Sequence, residues 1–257
     1  GGGCVETAAL MPVLTWKFCA QEGRALPKLP HTLASIAPWY RGVAVLAGSV
    51  APLTGVQMCF NGLFEGLLTG GSRAATSPEV ICSALGAGAV SALLYGPVEM
   101  TTIHQQKTGL SPLGTIAHLT RTHGSISLWR GVVPTAWREA IYTAGYLGLA
   151  PLICSKLMRQ KGWEESFFAS AVLSSCVAGI VANVATQPID TAKTVIQADV
   201  TGATYRGMLQ ALPELYRTNG MARLYSGGLA RTIRTCGAFF IVSTIREKCI
   251  QLKARGK

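Results

Sequence analysis

Acidic side chains are scarce in this chain: 12 Asp and Glu stand against 23 Lys and Arg, and the four types together make up only 14% of 257 residues. A soluble α/β enzyme of this length carries more charge, so a composition that is 49% hydrophobic lies on the membrane side of the globular average. The eight cysteines include no CxxC pair, and His31, His104, His118 and His123 fit no HExxH or other metal spacing. No metal site is expected, and the thiols read as small apolar fillers. No P-loop, GxSxG or helix-opening GxGxxG occurs, and no nucleophile, base and orienter stand together, which argues against an enzyme. The net charge of +11 does not mark a nucleic-acid binder, because the bases are scattered near the ends of apolar spans without a stripe of interleaved aromatics. Anionic lipid or an anionic solute is the better partner.

What the chain does have is one unit written three times. Ser166 to Gln187 carries no formal charge and is long enough to cross a bilayer core of roughly 30 Å, which takes about 20 helical residues. Pro188 then interrupts the regular hydrogen bonding and is expected to kink the helix. Asp190 and Lys193, three residues apart, share a face just beyond it, and Gln197 follows one turn later. The same offsets give Pro97, Glu99, Thr102 and Gln106, and before them Pro12, Leu14, Lys17 and Gln21. A second mark follows each proline: Trp39-Tyr40-Arg41-Gly42, Leu128-Trp129-Arg130-Gly131 and Leu224-Tyr225-Ser226-Gly227. Successive prolines are 85 and then 91 residues apart, so three copies fill the chain.

In order, Gly1 to Ala20 reads as the remnant of a first span, N-terminally incomplete, and Gly42 to Phe64 as an uncharged second. Span three starts at Pro78 and ends past Pro97, with small residues Ala84, Gly86, Ala87, Gly88 and Ala89 that let helices approach closely. Span four, about Val132 to Leu157, carries Arg138 and Glu139 inside it. Span five is Ser166 to Ile196 and span six Gly228 to about Ile250. Short amphipathic segments over His31 to Ala37, Ser111 to Thr122 and Tyr205 to Thr218 join the spans within each repeat, and a charged loop covers Met158 to Glu165. The repeats are 1–68, 78–157 and 164–257, in one integral membrane domain.

Three repeats of proline, acid, base and glutamine, each followed by aromatic, base and glycine before a second span, resemble the mitochondrial carrier family over essentially the whole chain. The resemblance implies an all-α membrane protein of six transmembrane helices with threefold pseudosymmetry and three short amphipathic matrix helices. It would sit in the mitochondrial inner membrane, alternating between two gates around one central substrate site. The matrix gate would pair Glu99 with Lys193 and Asp190 with Lys17, braced by Gln21, Gln106 and Gln197. The third pair would be Leu14 with Thr102, where both charges are absent together; removing one partner alone strands a membrane charge, whereas replacing both can be nearly neutral.

Counting from the glycines as the family does places substrate contacts at Arg138 and Glu139, at Arg234, and more weakly at Ser49. An arginine beside an acid resembles carriers of amino-acid-like solutes, the guanidinium binding a carboxylate and the acid an amine. The opposite gate departs from the family: its acid positions fall on Gly62, Pro151 and Glu247 and its base positions on Glu65, Cys154 and Ile250, leaving no complete pair. Cardiolipin, bound as a lipid and not as a cofactor, is implied at helix N-termini marked by Tyr40, Arg41 and Gly42, by Trp129, Arg130 and Gly131, by Tyr225 and Gly227, and by Tyr205 and Gly207. The expected function is exchange or import of a small anionic or zwitterionic carboxylate. The alternative is a carrier-derived protein that no longer transports and serves as a structural subunit of a larger inner-membrane complex.

Overall fold

The computed structural model describes residues 2–27, 33–71, 73–157, 167–238 and 241, and among these there is no strand. The first repeat supplies α1 (Gly2–Glu22), α2 (Leu33–Tyr40) and α3 (Val43–Thr69). The second supplies α4 (Ser77–Thr108), α5 (Pro112–His123), α6 (Val132–Thr143) and α7 (Ala150–Leu157), the last two joined by a π-helical run over Ala144–Leu149. The third supplies α8 (Phe167–Ala198), α9 (Met208–Leu224) and α10, residues 228–238. Among the described residues, three stretches are long and apolar enough to cross a membrane: Ser35–Thr69, Ser77–Thr108 and Val172–Ala198. The charged loop expected over 158–165 and the end of span six lie outside the described residues.

Local chemistry sets the helix starts. Glu79 accepts hydrogen bonds from both the Thr76 amide and the Thr76 hydroxyl, at 2.8 Å each, just before the apolar run of α4. Ser111 accepts from the Gly114 amide at 3.1 Å, with Pro112 at the first helical position of α5. Each repeat proline removes one backbone hydrogen bond, and the helix runs on beyond it: α1 past Pro12, α4 past Pro97 and α8 past Pro188.

The helices of the odd spans (α1, α4 and α8) and of the even spans (α3, α6–α7 and α10), here the odd and even helices, alternate around a ring: α1 against α3, α3 against α4, α4 against α6, and α6 and α7 against α8. The ring closes through α10, whose Thr235 accepts from Asn183 of α8 at 2.9 Å and whose Gly237 packs on Leu10 of α1. Its polarity is inverted relative to a soluble protein. Large apolar side chains such as Leu67, Leu93, Trp137, Val181 and Ile233 face outward, while Lys17, Gln57, Glu99, Arg138, Asp190 and Lys193 are buried inside. Small residues bring the helices together: a Cβ on Gly88 of α4 would run into the Glu139 carbonyl and Ala140 of α6.

The pseudosymmetry is visible in two sets of glycines. Gly42, Gly131 and Gly227 each precede an even helix with φ of 92°, 74° and 74°, a left-handed conformation that glycine adopts without steric cost. Each also lies flat on the next odd helix: a Cβ would meet Thr102, Gln197 or Lys17 and Gln21, respectively. Beyond the odd helices, Gly23, Gly109 and Gly202 are covered by the guanidinium groups of Arg223, Arg41 and Arg130. Arg130 donates to the Ile196 carbonyl at 3.1 Å and the Tyr205 carbonyl at 2.5 Å. Arg223 and the Ser226 hydroxyl donate to the Ala20 carbonyl at 3.1 and 2.6 Å. Each repeat therefore places a cation on the carbonyl-rich end of the next repeat's odd helix, where the helix dipole favours it.

Candidate functional site

The face that follows each repeat proline points into the ring. Lys17 of α1 and Asp190 of α8 form an ion pair at 2.8 Å, and Lys193 of α8 pairs with Glu99 of α4. Lys193 also stands 3.7 Å from Asp190 on its own helix, so the two pairs form one chain of alternating charge across α1, α8 and α4. All four groups are buried, a setting in which each charge needs its partner. Gln21 donates to Asp190 at 2.7 Å and accepts from the Thr194 hydroxyl at 2.8 Å, bracing the first pair.

The other two glutamines do not touch the ion pairs. Gln106 donates to the Thr15 hydroxyl at 3.3 Å and to the Arg41 carbonyl at 3.5 Å, tying α4 to α1 and to the turn before α3. The Gln197 side chain lies under Gly131, and its backbone carbonyl contacts His104 at 2.9 Å. Gln106 thus bonds between helix ends, whereas the Gln197 side-chain amide is buried with no hydrogen-bond partner among the described residues. Where the third charge pair is missing, Leu14 packs with Met11, Phe18, Leu46 and Ile103 in an apolar cluster, and the Thr102 hydroxyl turns back to the Val98 carbonyl at 2.9 Å.

One layer away, Arg138 and Glu139 of α6 are ion-paired to each other. Arg138 does more than neutralise its neighbour: Nη2 is 3.7 Å from Glu99 and Nε is 3.4 Å from Asp190. Its guanidinium lies over the Tyr95 ring, 4.9 Å from the centroid, and the Lys193 ammonium is 5.8 Å from the same ring. Gln57 of α3 donates towards Glu139 at 3.4 Å and Ser91 at 3.2 Å. Arg231 of α10 donates to Thr186 at 2.8 Å and Gln187 at 3.3 Å and stands 4.0 Å from Asp190.

Arg234, expected in the same site, instead faces Glu6 of α1 at 3.4 Å and is about a third exposed. The Ser49 hydroxyl donates to the Leu46 carbonyl, 2.8 Å away in its own helix. Counting from the glycine did not name two further inward residues, Gln57 of α3 and Arg231 of α10. The fourth residue after each glycine, Leu46, Thr135 or Arg231, is buried in every repeat, and that common offset was the available signal for Arg231.

The innermost cluster holds four cations, Lys17, Lys193, Arg138 and Arg231, against three carboxylates, Glu99, Asp190 and Glu139. Among the described residues no group of three or more His, Cys, Asp and Glu is arranged to hold a metal. The interfacial marks divide. Tyr40, Trp129 and Tyr225 are exposed on the rim, with the Trp129 indole donating to the Leu93 carbonyl at 3.0 Å. Arg41 and Arg130 are turned onto neighbouring helix ends, and Tyr205 packs into the α8–α9 core beside Ala192, Val195 and Leu215. Gly207 caps α9 in an extended conformation.

Comparison with known proteins decides what this architecture is. The family model described as mitochondrial carrier protein matches residues 73–161 and 164–256. The chain belongs to the mitochondrial carrier family. Members of this family are transporters and not enzymes, embedded in mitochondrial membranes. Among curated relatives, this carrier is 26% identical over 241 residues to mitochondrial glutamate carrier 1 of Rattus norvegicus, a match covering 80% of this chain and 74% of that one. It is 24% identical over 222 residues to the probable mitochondrial 2-oxodicarboxylate carrier of Dictyostelium discoideum, covering 84% and 74%. The mitochondrial 2-oxodicarboxylate carrier 2 of Saccharomyces cerevisiae is 25% identical over 206 residues, covering 76% and 66%.

Proposed function

We propose that this protein is a mitochondrial inner-membrane carrier that moves a small carboxylate, an acidic amino acid or a 2-oxodicarboxylate, by alternating access. The observation that carries the reading is the charge of the inner cluster: with the buried Glu6 set against its own partner Arg234, the remaining four buried cations and three carboxylates leave one positive charge for the solute to neutralise. Arg138 can bind a carboxylate through two parallel hydrogen bonds, and Glu139 beside it can accept from an ammonium group. Glutamate and 2-oxodicarboxylate are the solutes in the names of the relatives, and both carry a carboxylate for Arg138.

The gate residues give the reading a mechanism. Lys17, Asp190, Lys193 and Glu99 hold the matrix ends of α1, α4 and α8 together. A solute carboxylate that binds Arg138 draws the guanidinium away from Glu99 and Asp190, so binding loosens the gate from inside. Each broken buried pair costs about 3–5 kcal/mol, and a solute shifts the equilibrium only by binding the open form better. Cardiolipin would bind at the exposed aromatic rim around Tyr40, Trp129 and Tyr225, beside the glycine turns Gly42, Gly131 and Gly227.

Uptake by proteoliposomes containing the full-length protein tests this reading, with labelled glutamate, 2-oxoglutarate, a neutral amino acid and a nucleotide as solutes. Saturable uptake of one acidic class, abolished by Arg138→Ala in protein that still inserts and folds, is expected. Wild-type rates in that variant would remove Arg138 from the site. A second reading is favoured by the opposite end of the ring, where Gly62, Glu65, Pro151 and Cys154 stand at the second gate and Glu65 makes no ion pair among the described residues. It is a transport-inactive structural subunit of a larger membrane complex. Absence of uptake for every solute, with stoichiometric co-purification of partner chains, would favour it.

A further inference from the structure

Outside the ring of ion pairs, at the gate end, a cavity of about 420 Å³ lies between the chain leaving α1, the corner between α2 and α3, and the end of α4. Arg24, Arg41 and Lys107 all line it. Glu22 sets its Oε2 3.4 Å from Arg24 and 3.4 Å from Lys107, longer than the roughly 2.7–2.9 Å of a strong charged hydrogen bond. Arg41 makes no ion pair among the described residues. Three cations thus line one concavity with a single, shared carboxylate beside them, their other contacts being neutral: Lys107 donates to the Ala198 carbonyl at 3.2 Å, Arg24 to the Gln106 carbonyl at 3.5 Å, and the Arg41 guanidinium lies over Gly109. Positive charge of this kind in a partly enclosed space concentrates anions. The volume is that of a small-ligand site, and Thr15 and Gln106 add polar groups to its wall.

We propose that this cavity binds a phosphate-bearing anion, with Arg24, Arg41 and Lys107 as its ligands. Two guanidinium forks and an ammonium suit the spread charge and multiple acceptors of a phosphate or diphosphate group better than a lone carboxylate. The site is separate from the central cluster, since none of its three cations contacts Arg138, Glu139 or the Lys17–Asp190 pair. Its placement gives it a consequence. Arg24 belongs to the exit of α1, Lys107 to the last turn of α4, and Arg41 to the corner before α3. An anion spanning them ties α1 to α4 on the outer side of the gate, the two helices that must part for it to open, and so acts as a brake on transport.

The test is thermal melting of the full-length protein in nanodiscs of neutral lipid, titrated with inorganic pyrophosphate, with potassium chloride at matched ionic strength as control. A saturable upward shift is expected, absent with chloride and lost in Arg24→Gln/Arg41→Gln. If that double variant does not fold, Lys107→Gln carries the test, with an expected loss of about tenfold in apparent affinity, roughly 1.4 kcal/mol. A second arm replaces pyrophosphate with cardiolipin in the nanodisc. A shift seen with cardiolipin alone, and lost in the same variants, would assign the phosphate to a lipid headgroup, whereas a pyrophosphate shift assigns it to a soluble anion. No shift in either arm, or a shift that survives both variants, overturns the proposal. Because no transported solute enters the measurement, its result does not depend on whether the carrier reading is right.

Discussion

Arg138 of α6 reaches across the ring to within 3.4 Å of Asp190 of α8. The residue best placed to hold a solute carboxylate therefore already leans on one of the two acids that keep the gate shut, with the other, Glu99, only 3.7 Å away. In the proposed mechanism, solute binding and gate strength share one guanidinium. Arg138→Gln is accordingly expected to lower the melting temperature of the solute-free protein as well as abolish uptake. A variant that loses uptake at unchanged solute-free stability would separate the two roles.

Breaking one gate pair should cost far more than exchanging it. Glu99→Gln leaves Lys193 buried without its carboxylate and is expected to destabilise by about 3–5 kcal/mol. The double variant Glu99→Gln with Lys193→Met removes both charges together and should recover a large part of that loss in a detergent melt. Equal loss in the single and double variants would show that the pair is not an energetic unit.

Gly88 allows no side chain. Its Cβ would enter the space of the Glu139 carbonyl and Ala140, so Gly88→Ala must push α4 and α6 apart. The expected loss is about 1–3 kcal/mol, the usual cost of overpacking, accompanied by weaker solute binding because Glu139 moves with that backbone. Gly62, with open space around its Cβ position, is the control, where alanine should be tolerated.

Asp199, in the turn after α8, accepts backbone hydrogen bonds from Thr204 and Tyr205 at 2.8 and 2.9 Å, and so fixes the segment whose carbonyl receives Arg130. Partial burial opposes its ionisation, but the Tyr205 and Thr204 amides and the Thr201 hydroxyl outweigh it and hold the carboxyl below its ordinary range. A depressed carboxyl stabilises the fold above its unfolded pKa of about 3.9 and loses that contribution as pH falls through the folded value. The stability difference between wild type and Asp199→Asn should be constant from pH 7 to about 5 and shrink below about 4. A difference that persists unchanged into acid would rule out the carboxylate charge as its source.

Arg223 holds the place in the third repeat that Arg41 and Arg130 hold in the others. Arg223→Ala should cost about 1 kcal/mol through the lost bond to the Ala20 carbonyl, with greater exchange of the amides at the end of α1. Unaltered exchange there would mean that Ser226 alone suffices.

The repeats and the inward acid–base face were legible in the sequence, because a charge next to an apolar span has to find a partner within reach, and the family resemblance supplied which partners, Glu99 with Lys193 and Asp190 with Lys17. The spans drawn past Pro97 and Pro188 are continuous helices, as the apolar runs had them. Arg223 escaped because the mark in its repeat reads Tyr225-Ser226-Gly227, and the guanidinium arrives from one turn earlier. Gln57 sits deep in a span with no charge to flag it, and it is drawn inward by Glu139 on a different repeat. The Ser49 hydroxyl satisfies itself on its own backbone at Leu46, as a hydroxyl in an apolar helix can.

The arginines that cover Gly23, Gly109 and Gly202 run head to tail: first repeat onto second, second onto third, third back onto first. A stack of repeats joined this way in a line would end in two unfastened faces and need caps, and it could lengthen by duplication. Here the rotation between units closes after three, so the last guanidinium meets the first helix and no face is left over. Removing a unit would unfasten both of its neighbours, and adding one would leave no cation in register for α1. The number three is thus fixed by closure, and the three repeats can only assemble and come apart together.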